Sequence, residues 1–191
     1  MFRESSGYTG RMMEDEFLKR PKLDGAIKPE HLIEQDKKKI AGIHAALEHD
    51  GFLPYDQAMR ILKLIQPYED PSNPDSQFSK DLMNMIAEKL GLKEENRDKI
   101  KIYTAVGSPL DHKHGIDAFI TFDDDDLGEI IVTLDLTKNS NKDYTKADVL
   151  LDIPEAFLIS KDENYLAACM DEYADRIVEF LVNKINEKEG N

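Results

Sequence analysis

The chain has 191 residues, a single cysteine and a formal net charge of −14, which is length enough for one packed domain without disulfide support. Such acidity opposes general binding to nucleic acid or anionic membranes unless basic residues cluster locally. No stretch approaches the roughly 18 apolar residues of a membrane span, and the N-terminus lacks the apolar centre of a signal peptide, so no membrane association and a cytoplasmic setting are expected.

Residues 1–28 mix charges with Gly7, Gly10, Pro21 and Gly25 without a sustained period. They read as a mobile arm, with one short helical turn around Glu14 to Lys19 and no chemistry of its own. Residues 29–66 read as a helical hairpin. Its first helix places Leu32, Ile33, Ile40, Ile43 and Leu47 on one face between Pro29 and Gly51, and its second places Ala58, Ile61, Leu62 and Ile65 together before Pro67. Three prolines within residues 67–78 suggest a linker or exposed loop.

Residues 79–191 carry the pattern of an α/β domain in the order αββββα. A helix capped by Ser79 and stopped by Gly91 buries Leu82, Met83, Ile86 and Leu90. Four strands follow, at Ile100–Val106, Asp117–Phe122, Glu129–Thr137 and Ala147–Ile153. From Tyr165 to Ile185 apolar residues recur at helical spacing, and Cys169 lies on that stripe as a buried structural thiol. The expected fold is α+β: a mostly antiparallel four-stranded sheet flanked by helices.

The candidate chemistry is concentrated in Asp111-His112-Lys113-His114-Gly115-Ile116-Asp117, whose histidines and carboxylates are groups that bind divalent metals or move protons. Side chains alternate faces along a strand. Ala118, Ile120 and Phe122 therefore share one face of the second strand, and Ile130, Val132, Leu134 and Leu136 one face of the third. Burying these apolar faces together forces Asp117 and Asp135 onto the opposite side. Pairing Phe122 with Ile130 sets the two aspartates directly across from each other, and the next register of the same parity makes them diagonal neighbours. Such like-charged neighbours are tolerated when exposed, when they share a proton, or when they hold a cation.

Other readings of these residues are structural. Asp123 to Asp126 fail the spacing of a calcium loop and suit a solvated hairpin tip. A His-x-His pair without cysteines or a third histidine does not make a structural zinc site, which leaves His112 and His114 as turn residues or substrate contacts. Asp135 and Thr137 also suit a polar, solvent-facing sheet surface.

A helix followed by a hairpin with an aspartate opening one strand and an acid late in the next resembles the core of the PD-(D/E)XK nuclease superfamily, over residues 79–153. The resemblance implies that Asp117 and Asp135 are ligands of Mg2+ or Mn2+, with Glu88 as an auxiliary acid. Thr137 stands where that family has its lysine, Lys138 points to the other face of a regular strand, and residues 139–146 are too short for the helix the family places between its third and fourth strands. The positive charge would then come from Lys113 or Lys146.

Two functions follow. One is a metal-dependent hydrolase acting on nucleic acid or another phosphodiester, with His112 or His114 as general base or phosphate contact and Lys113 beside them. The other is a noncatalytic acidic module that binds a basic protein partner, in the extreme case by mimicking nucleic acid. Oligomeric state is not legible in the sequence.

Overall fold

The structure, a computed structural model, describes residues 10–20, 54–66, 70–139, 141–142 and 144–190. Helices α1 (Gly10–Phe17), α2 (Tyr55–Leu64) and α3 (Gln77–Lys89) lead through a 3-10 turn (Glu94–Lys99) into β1 (Ile100–Thr104). Short helix α4 (Pro109–His114) precedes β2 (Ala118–Asp124), β3 (Gly128–Thr137) and β4 (Val149–Asp152). Helices α5 (Glu155–Ile159) and α6 (Glu163–Glu189) complete the fold.

The strands form one mixed sheet in the order β1-β2-β3-β4. Both pairings within the β1-β2-β3 meander are antiparallel, and the register pairs Phe122 with Ile130, one of the same-parity registers that bury the two apolar faces together. β4 lies parallel to β3, pairing only with Leu134 to Thr137. The connection between them contains no helix among its described residues.

Each face of the sheet has its own core. Ile102, Ile120, Val132, Leu134 and Leu151 meet Met13 and Leu18, from α1 and the turn after it, Leu82 and Ile86 of α3, and Ile177 and Leu181 of α6. Each such fully buried aliphatic side chain contributes about 1.5–3 kcal/mol through removal from water. Across the sheet, Tyr103 and Phe119 stack with ring centroids 4.9 Å apart and pack against Ala58, Leu62 and Ile65. α2 thus covers the face that also carries Asp117 and Asp135.

Several local expectations change. α3 is capped by Ser76, whose hydroxyl accepts from the Ser79 N–H; Ser79 is itself inside the helix and fully buried. The reason is the N-terminus. Residues 10–20, expected within an arm, form helix α1 and a turn that pack on the sheet's core, with Phe17 stacked on Phe78 at 4.4 Å and the Phe17 carbonyl accepting from the hydroxyls of Ser76 and Ser79. Thr104 in turn donates to the Lys19 carbonyl at 2.6 Å. These hydroxyls satisfy carbonyls that the end of a helix leaves without partners.

Of the expected hairpin, the first helix, between Pro29 and Gly51, lies outside the described residues; the second is α2. Within residues 67–78, positions 70–78 lead along the sheet margin, and the Pro71 carbonyl accepts from the Ile102 N–H at 3.0 Å. The Gln66 side chain pairs with Thr104 through both its amide oxygen and its amide nitrogen, so the outer edge of β1 is closed by groups that are not a strand. No helix among the described residues is long and apolar enough to cross a membrane.

Candidate functional site

The site lies where β1 ends and β2 begins. After β1 the chain turns through Gly107 into α4, which starts with Ser108 as its cap and Pro109 in its first turn. It stops at Gly115, in the left-handed conformation with φ 65°. That stop returns the chain to the sheet within two residues, where Ala105 donates to the Asp117 carbonyl at 2.7 Å and Asp117 donates to the Leu134 carbonyl at 2.9 Å. Asp117 is therefore held from both sides by the ladder before β2 formally begins.

Its side chain is 5 % exposed, and Oδ2 accepts from the Leu136 N–H at 2.7 Å. Burial pushes the Asp117 carboxyl up to about 8, aided by the negative charges of Glu14, Asp111 and Asp135, while the Leu136 N–H pulls the other way. Asp111, in α4, accepts from the Gly107 N–H at 2.7 Å. Glu14 arrives from α1. Its carboxyl is raised chiefly by burial and then by Asp111, Asp15 and Asp135, with Lys142 opposing.

Glu14, Asp111 and Asp117 each offer a carboxylate oxygen, and these lie within 4.8 Å of one another. Three hard oxygen donors so placed suit magnesium or manganese better than zinc, which favours nitrogen and sulfur. Positive charge borders the cluster. Arg20, paired with Asp15, lies over Gly107, its Cδ 3.8 Å from where a Cβ would stand. Lys142 reaches Asp135.

Asp135 shares the sheet face of Asp117 and is equally buried, at 5 % exposure. It does not join the three-carboxylate group. Its Oδ2 accepts from the Lys142 ammonium at 2.5 Å and the Thr145 hydroxyl at 2.8 Å, both from the β3–β4 connection. The like-charged pair expected across β2 and β3 is thus relieved by an ammonium on one aspartate and by the raised pKa of the other.

Glu88 is exposed on α3, whose buried residues pack on the opposite face of the sheet, so the structure does not bring it to the aspartates. Helical phase explains this: the stripe Leu82, Met83 and Ile86 faces the core and carries Glu88 outward. His112 and Lys113 are exposed, and His114 packs edge-on to Tyr55 at 5.7 Å. Lys146 donates to the Lys113 carbonyl at 3.3 Å, so neither of the two expected lysines approaches Asp135 as Lys142 does.

Glu14 and Lys142 were not legible as site residues. Met13 and Leu18, five positions apart, were the available sign that the N-terminal turn packs, but nothing local says on what. Compared with protein-family models, curated proteins and solved structures, the chain matches none.

Proposed function

We propose that this protein is a divalent-cation-dependent hydrolase of phosphodiesters, with the ion held by Glu14, Asp111 and Asp117. The observation that carries the reading is the convergence of these three carboxylates, from α1, α4 and the mouth of β2, within 4.8 Å. A bound magnesium or manganese ion would polarise a phosphoryl oxygen and ease deprotonation of water.

The chain's own residues supply the rest. Arg20 and Lys142 put positive charge beside the carboxylates in a strongly acidic protein, where an anionic phosphodiester needs it. Asp135 positions Lys142 and is itself kept from repelling the substrate by that pairing. His112 and His114, on the same short helix as Asp111, are the imidazoles assigned to contact the phosphate or receive a proton from water.

The resemblance noted in the sequence does not extend to the β3–β4 connection, which holds no helix among its described residues. Under this reading Glu14, and not Glu88, is the auxiliary acid, and Lys142 stands in for the lysine missing at Thr137.

The test is calorimetric titration with Mn2+ together with hydrolysis of bis(p-nitrophenyl) phosphate. Saturable Mn2+ binding that Glu14→Gln weakens, and cleavage that requires Mn2+ and disappears in Asp117→Asn, are expected. Absence of Mn2+ binding, or binding indifferent to Glu14→Gln, refutes the site.

A further inference from the structure

β4 pairs with only the last part of β3, so no described strand lies beside residues 128–133 on that side of the sheet. An open strand edge is a template for another chain. Here the edge meets two lysines. Lys188 donates to the carbonyls of Leu127 (3.1 Å) and Glu129 (3.0 Å), and Lys184 to the carbonyl of Ile131 (2.8 Å). Asp148 accepts from the Thr133 N–H at 2.8 Å, where β4 begins.

The spacing has a geometric cause. Outward-facing groups on a strand recur every two residues, about 6.8 Å, and four residues of helix rise about 6 Å. Lysines at positions 184 and 188, one turn apart on α6, therefore step along the edge in near register with its carbonyls. The N–H groups of Glu129 and Ile131 face the same side as their carbonyls. A groove of about 410 Å3, lined by Glu129, Ile130, Ile131, Lys184, Glu187 and Lys188, runs there.

The two lysines are not equally free. Lys184 is also paired with Asp148 at 2.8 Å, and Asp148, although burial pushes it up, is held below the usual carboxylate range by Lys184 and Thr133. Lys188 lies in the last turn of α6 and is exposed. The opposite edge of the sheet is closed differently, by the Gln66 side chain and the Pro71 carbonyl on β1.

We infer that Lys184 and Lys188 are an edge guard: their ammonium groups occupy the β3 carbonyls that would otherwise accept hydrogen bonds from the strand of a second copy of this chain. Their charge adds to the barrier, because strand addition would have to displace two ammonium groups and leave them in the new interface. The guard is independent of the carboxylate site, which lies at the other end of β3.

The experiment is sedimentation velocity on the full chain from micromolar to sub-millimolar concentration, with amide hydrogen exchange at Glu129 and Ile131. Lys184→Ala/Lys188→Ala should associate about tenfold or more strongly than the wild type, because the carbonyls the ammonium groups occupied become free to accept from an added strand. Exchange at Glu129 and Ile131 should slow as it does so. Lys184→Arg/Lys188→Arg, which keeps the donors, should behave as the wild type. Lys188→Ala leaves the Lys184–Asp148 pair intact and carries the same expectation should the double variant fail to fold. Unchanged sedimentation of the alanine variants, association without slowed exchange at those two amides, or a wild type already associated through this edge overturns the inference.

Discussion

Glu14, on the first helix of the fold, and Asp117, at the mouth of β2, present carboxylate oxygens within 4.8 Å of each other. α1 is joined to the sheet by apolar burial of Met13 and Leu18 and by hydroxyl donors from Ser76, Ser79 and Thr104. The site therefore depends on a packing contact remote from it in sequence.

Leu18→Ala should cost about 2–5 kcal/mol, the range for emptying a fully buried leucine site. If α1 detaches before the sheet unfolds, Mn2+ affinity should fall together with protection of the α1 amides, while β2 and β3 stay protected. Hydrogen exchange with and without Mn2+ measures this. Unchanged Mn2+ affinity with α1 unprotected would show that Glu14 is not a ligand.

The raised carboxyl of Asp117 fixes a sign for stability against pH. Its folded value, about 8, lies above the ordinary 3.8, so the native state keeps a proton that the unfolded chain releases between those values. Its favourable contribution is complete below the unfolded value and is lost as pH rises through the folded one, by up to about 1.4 kcal/mol per pH unit. Asp117→Asn keeps an acceptor for Leu136 and removes the titration. Urea unfolding from pH 5 to 8 should show the wild type weakening with pH and the variant much less so.

Metal binding should carry the opposite dependence. An ion at this site requires the Asp117 proton to leave, so apparent Mn2+ affinity should rise between pH 6 and pH 8, by at most about tenfold per pH unit from this one group. Calorimetry in buffers of different ionisation enthalpy should detect close to one proton released per ion at the lower pH. In Asp117→Asn that release should vanish with the affinity.

Lys142→Met should leave the buried carboxylate of Asp135 with the Thr145 hydroxyl as its remaining side-chain partner among the described residues. Because the ammonium is partly solvated, a loss of about 1–3 kcal/mol is expected, below that for a fully buried pair. Adding Asp135→Asn should recover most of it. A double-mutant cycle by chemical denaturation reads the coupling, and additivity of the two changes would show that the pair contributes nothing to stability.

Gln66→Ala should cost about 1–3 kcal/mol, because the Gln66 side chain is the partner given to both the N–H and the carbonyl of buried Thr104. Thermal unfolding and faster amide exchange at Thr104 check it.

The choice of Phe122 with Ile130 among registers of the same parity came from the structure, but alternation of apolar residues in β2 and β3 determined which side chains enter the core, and with it the common face of Asp117 and Asp135. That much follows from a period of two and one face to bury, both readable over a few consecutive residues. The long helix α6 was legible for the same reason, since more than five turns of apolar spacing leave little choice.

Only the tertiary structure decided the rest. A parallel β4 is invisible in a short apolar run, because direction depends on the route of the connection and not on the residues of the strand. Glu14 and Lys142 have no local mark of function; they reach the aspartates because α1 is drawn into the core and the β3–β4 connection folds back over Asp135. Side-chain pattern sets which face of an element is buried, whereas contacts between distant segments are set by how those faces stack, a property of the whole chain at once.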